Sequence, residues 1–161
     1  MAHVHTAPGQ IDYAVDVFVV YENKVLLRFH DKHDLWLAPG GHIELDELPE
    51  EAAVREVLEE VGLEVELVFE DTVPEEEASD DDRQRELHLP SFTNVHYINE
   101  SHRHLSFVYI ARATSDKVIE PEGEEKSGGC IWLTKEELLV HPEVRPNIKR
   151  YALRALEVLA S

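Results

Sequence analysis

Apolar and polar residues change their spacing several times along this 161-residue chain. Ile11 to Val20 alternates and then becomes apolar at Val15-Asp16-Val17-Phe18-Val19-Val20, which reads as a strand. Glu22-Asn23-Lys24 reads as a turn, and Val25-Leu26-Leu27-Arg28-Phe29 as the returning strand. After a polar loop from His30 to Asp34, Leu35-Trp36-Leu37 is a short strand that delivers the chain to Gly40-Gly41. A helix is expected from Pro49, whose missing N–H suits a first helical position, to Gly62, which can take the left-handed conformation past a helix end. Further strands are expected over Leu63–Val73, Leu87–Ile98 and Leu105–Ala113, with Asn99 to Arg103 as the turn between the last two. Glu120 to Gly129 reads as a loop and Ile131-Trp132-Leu133 as a last strand. Thr134 with Glu137 three residues on forms a capping box. A closing helix follows from Pro146 to Leu159, with Ile148, Tyr151, Ala152, Ala155, Leu156 and Leu159 on one face.

Length fits one domain over 1–161, with 1–10 a loose lead-in. The stretch 74–87 breaks the pattern. Its run Glu75-Glu76-Glu77-Ala78-Ser79-Asp80-Asp81-Asp82 has no apolar face and is expected to be a flexible solvated loop, with a substrate lid as the alternative. The net charge of −19, from 34 acidic and 15 basic residues, disfavours general binding to nucleic-acid backbones. No run of apolar residues is long enough for a membrane span, and the N-terminus has no signal-peptide pattern, so a cytoplasmic location is expected. The single Cys130 excludes an intramolecular disulfide. The histidines show no zinc-protease spacing: His88 and His96 fall on strands, and His102 and His104 flank a turn, so no zinc site is expected. No Gly-x-Ser-x-Gly elbow supports a nucleophilic serine.

The chemistry concentrates on the helix after the glycines. At about 100° per residue, Val54, Val57, Leu58 and Val61 fall in one arc, expected to face the core. Glu56, Glu59 and Glu60 fall on the opposite side. Like charges three and four apart weaken a helix, and anions near its C-terminus oppose the dipole. Three carboxylates able to converge on one point would be relieved by a hard divalent cation such as Mg²⁺. The alternative is a solvated acidic face.

The wider pattern favours the metal reading. Gly41-x5-Glu47-x7-Arg55-Glu56-Val57-x-Glu59-Glu60-x-Gly62-Leu63 resembles the Nudix box at every defining position. The likeness covers most of the chain. It implies an α/β fold, a sandwich with a mixed β-sheet between helices. It also implies metal-dependent hydrolysis of a nucleoside diphosphate linked to another group X. By this resemblance Glu56, Glu59 and Glu60 ligate Mg²⁺ or Mn²⁺, with the Gly40 carbonyl as an added ligand. Glu47 pairs with Arg55, and with Gly41 and Gly62 these residues are structural. The general base stays open among Glu59, Glu60 and a glutamate of the later loop, Glu125 ahead of Glu122 and Glu124. Arg28 is a candidate for phosphate contact, and Trp36 or Phe29 for stacking on a base; each also reads as an ordinary strand residue. The expected partner is a small-molecule nucleotide, with no membrane and with a homodimer left open. Neither Pro74 nor Pro90 has convincing spacing for the ADP-ribose group of the family, and the signature of the NADH-cleaving group is absent. A diphosphate isomerase and a nucleotide-binding regulator without turnover remain alternatives; the intact run from Arg55 to Glu60 argues against the regulator.

Overall fold

The computed structural model describes residues 9–71, 86–120 and 128–160. The sheet grows outward from one strand. β1 (Ile11–Tyr21) lies along β7 (His102–Ala113) in a parallel pairing that runs from Ile11 opposite Arg103 to Val20 opposite Arg112. The other edge of β1 is shared. β2 (Lys24–His30) pairs with its end through a two-residue turn, Glu22-Asn23, in which both residues have positive φ; that geometry matches the twist of a hairpin. β4 (Gly40–His42) pairs antiparallel with Ala14 to Asp16. β3 (Leu35–Leu37) and β8 (Cys130–Leu133) pair with β2, while β5 (Val65–Val68) and β6 (Phe92–Asn99) pair with β7. The result is an eight-stranded mixed sheet.

Helices cover both faces. Strand residues alternate between them, as the pleat requires. Val15, Val17, Val19, Leu26, Tyr109 and Ala111 pack with α1 (Pro49–Val61). Phe18, Val20, Val25, Leu27, Val108 and Ile110 pack beneath α2 (Lys135–Val140) and α3 (Pro146–Val158). The α/β sandwich inferred from the box is therefore the fold. The Thr134–Glu137 capping box is formed in both directions, and the expected face of the closing helix is buried from Ile148 to Leu159.

Several local expectations are corrected. Gly40 and Gly41 lie in a further short strand, because the neighbouring stretch of β1 offers them ladder partners. The strand expected over Leu63–Val73 is formed only at Val65–Val68, and 72–73 lie outside the described residues. The strand expected from Leu87 begins at Phe92. Before it, the His88 N–H goes to Glu50 (2.9 Å) and the Leu89 N–H to Asp71 (3.1 Å), and Pro90 has no N–H to offer. Asn99 accepts the Ser101 N–H at 3.0 Å and tightens the turn, so β7 starts at His102 and both His102 and His104 are strand residues. The acidic run Glu75–Asp82 lies outside the described residues.

The largest correction concerns α1. Val57 and Val61 are buried, but Val54 is 39% exposed and Leu58 53%. Ala52, Ala53 and Glu56 are buried in their place. The helix is rolled about its axis so that Glu56 and Glu60 sit within the packed face. The cause lies in what that face meets.

Candidate active site

Two small residues, Ala52 and Ala53, let α1 lie close against the sheet, and Glu56 then points at the glycine strand. A Cβ on Gly41 would stand 2.5 Å from the Glu56 carboxyl carbon and from both its oxygens. Any larger residue at 41 would push this carboxylate out of its seat. Glu56 is only 6% exposed.

A buried carboxylate needs a charged or hydrogen-bonding partner. Arg55 supplies it and ties four groups together. Its guanidinium forks onto Glu47, Nε to Oε2 at 3.0 Å and Nη2 to Oε1 at 2.5 Å. Nη1 donates to Glu56 at 2.8 Å and to Glu59 at 3.0 Å, and Nη2 also reaches the His42 carbonyl at 2.9 Å. The bond from Arg55 holds the Glu47 carboxyl below its usual range, and Glu47 in turn raises the guanidinium. Glu47 also accepts the Glu44 N–H at 2.9 Å, which fixes the loop ahead of the helix.

Glu60 is held by a second cation. Arg28, buried on β2, donates to its Oε1 at 2.7 Å, and the Gly40 N–H donates to Oε2 at 2.9 Å. The repulsion expected among the three glutamates is thus answered by two arginines in this arrangement. The donor types suit a hard divalent cation, since every side-chain donor is a carboxylate oxygen. Glu59, at 48%, is the most exposed of the three side chains.

The other expected residues are dispersed. Trp36 packs against the cluster beneath α3 and donates to Glu143 at 3.2 Å, and Phe29 meets it edge-on at 5.1 Å. These two rings pack on each other, and Arg28 faces α1. Gly62 closes α1 in the left-handed conformation (φ 66°), with its N–H on the Leu58 carbonyl. Glu122, Glu124 and Glu125 lie outside the described residues.

A second polar group was not anticipated. Asp12, His42, His102 and His104 bring one donor atom each to within 4.8 Å of one another. The signal was His102-Arg103-His104: two histidines two apart share a strand face, whereas a turn would separate them. Burial, followed by the neighbouring His42, His96 and His102 rings, pushes the His104 imidazole down to about 4.

Comparison with known proteins agrees with this geometry. The family model described as NUDIX domain matches residues 11–156. The solved structure of a NUDIX-family hydrolase from Clostridium perfringens is 37% identical, over 92% of this chain and 97% of that one, with a TM-score of 0.82. A MutT NUDIX hydrolase from Burkholderia pseudomallei is 17% identical over 93% and 98% of the two chains, with a TM-score of 0.63. An ADP-ribose pyrophosphatase from Streptococcus suis is 20% identical over 93% and 92%, with a TM-score of 0.56. The last two share the fold.

Proposed function

The chain belongs to the NUDIX family of hydrolases, and from that membership we propose that it cleaves a pyrophosphate bond in a nucleoside diphosphate linked to another group X. The observation that carries this reading is the cluster in which Arg55 ties Glu47, Glu56 and Glu59 together above Gly41. The surface charge of −19 should repel an anionic nucleotide, so a substrate of this kind needs cationic help at the site.

Glu56, Glu59 and Glu60 would hold Mg²⁺ or Mn²⁺, with the Gly40 carbonyl beside them. When bound, such an ion offsets charge on phosphoryl oxygens and makes a bound water more acidic. The protein's own groups do the placing. Arg55, anchored on Glu47, sets the angle of Glu56 and Glu59. Arg28 and the Gly40 N–H set that of Glu60. Glu59 is open enough for a water molecule to reach, which favours it over Glu60 as the group that accepts the proton. Glu125 remains a candidate for the same role.

The test is a Mg²⁺-dependent turnover screen across nucleoside triphosphates, dinucleotides and nucleotide sugars, with product masses recorded. Phosphate-bearing fragments are expected, lost in chelator and reduced by roughly 10²–10⁴-fold in Glu59→Gln. A product of unchanged mass would make it an isomerase. No turnover on any substrate would make it a binding protein.

A further inference from the structure

We propose that Asp12, His42, His102 and His104 form a site for one transition-metal ion of the zinc type, separate from the glutamate cluster. The four donors come from three adjacent strands. Asp12 and His104 are register partners across β1 and β7, His42 on β4 pairs with Ala14 of β1, and His102 lies two residues before His104. All therefore project from one face of a rigid ladder, the kind of scaffold that can hold ligand geometry.

Four of the six donor–donor distances are close to those of a tetrahedron, and the other two are within 4.8 Å. Ligands at about 2.0–2.1 Å from a common centre stand about 3.3 Å from each other. Here His102 Nε2 lies 2.9 Å from His104 Nε2, and His42 Nε2 lies 3.1 Å from it. Asp12 Oδ2 is 3.2 Å from His102 Nε2 and 3.6 Å from His42 Nε2. A hydrogen-bonded pair needs a single contact; here all four donor atoms lie within 4.8 Å of one another, as ligands of a shared ion must. Asp12 is 3% exposed, and the three rings are partly buried.

The ligand chemistry selects the ion. Three imidazoles and one carboxylate suit Zn²⁺ and its transition-metal neighbours, whereas Mg²⁺ favours an octahedron of oxygens. Four protein ligands complete a tetrahedron, which is the arrangement of a structural site. Its leverage is through His42. The ring of His42 belongs to this group, while its carbonyl accepts from Arg55. An ion here would fasten the glycine strand to β1 and β7 from the face opposite α1, and hold the carbonyl on which Arg55 rests.

The experiment uses the full chain, stripped with chelator and kept in excess Mg²⁺. Zn²⁺ is then titrated into the parent, His102→Gln, His104→Gln and Glu56→Gln, following stoichiometry and melting temperature. One Zn²⁺ per chain is expected in the parent, with a raised melting temperature that Glu56→Gln retains. Affinity should fall at least tenfold in either histidine variant. Co²⁺ added to the parent should give the intense visible absorption of four-coordinate cobalt, abolished by Zn²⁺. Equal Zn²⁺ affinity in parent and histidine variants, loss of binding in Glu56→Gln, or only the faint spectrum of six-coordinate cobalt would overturn the proposal. The cobalt spectrum needs no variant, so it decides even where a substituted protein fails to fold.

Discussion

Helices α1 and α3 make a controlled comparison. Each has 13 residues, each opens on a proline, and neither has a side-chain bond at its N-cap. They cover opposite faces of the same sheet. In α3 the apolar stripe is the buried face. In α1 it is not: part of the stripe faces outward, and a carboxylate lies in the packed face. Periodicity reports packing where apolar area alone decides how a helix is rolled. Where a helix must also bring charged groups to a cation or a glycine strand, those contacts turn it away from its own hydrophobic arc.

The largest expected effect comes from removing what turns α1. Arg55→Met leaves Glu47, Glu56 and Glu59 without their shared cation. Loss of a part-buried charged partner of this kind should cost about 3–5 kcal/mol in urea denaturation. A cost below about 1 kcal/mol would mean that the roll of α1 is set by packing after all.

Next is a paired truncation. Leu156→Ala on α3 should cost about 2–4 kcal/mol, because Leu156 is buried in the core. Leu58→Ala on α1 should stay within about 0.5 kcal/mol, although Leu58 belongs to the apolar arc of its helix. Equal costs would erase the contrast between the two helices.

The α3 side of the sheet is not wholly apolar, and pH exposes this. Burial raises the Asp16 carboxyl from 3.8 to about 6, against a smaller lowering from the Ser106 hydroxyl. Between those values the folded state binds more protons than the unfolded state, so stability falls as pH rises from about 4 to 6 and stays lower above. Asp16→Asn removes that loss. Relative to the parent, it should gain about 1–3 kcal/mol more at pH 8 than at pH 4. A pH-independent difference between the two proteins would rule out the buried carboxyl as the cause.

The smallest effect concerns the start of α1. Glu51 already accepts the Leu48 N–H at 2.8 Å, half of a capping box. Leu48→Ser would add the other half and bring α1 level with α2, raising stability by about 0.5–1 kcal/mol. A loss instead would show that the half-buried Leu48 side chain contributes more by packing than a cap would.

Legibility followed the same division. The β1–β2 hairpin and the face of α3 could be read from periodicity and turn residues, because local rules and tertiary packing agree there; the sandwich followed only from the resemblance that the box carries. The residues of the box could be read from spacing. The roll of α1 could not, since Ala52 and Ala53 look unremarkable until Gly41 is placed opposite Glu56. Nor could Arg28 be assigned to Glu60, a contact between residues on separate elements. The Asp12 and histidine group was missed for a different reason. Its members are brought together by strand register, and register between distant segments leaves no mark on either one.

The parallel ladder of β1 and β7 has a bearing on how the protein assembles. Ile11 meets Arg103 and Val20 meets Arg112, so the centre of the sheet joins the start of the described chain to a segment that leaves the ribosome much later. Non-local pairing of this kind is slow, since a long loop must close before any contact stabilises it. The hairpin and the glutamate helix emerge first, and wait with one edge of β1 unpaired. Val15, Val17 and Val19 lie along that open edge, where a nascent chain could pair with a wrong strand. Until β7 docks, the helix that carries the glutamates rests on half a sheet.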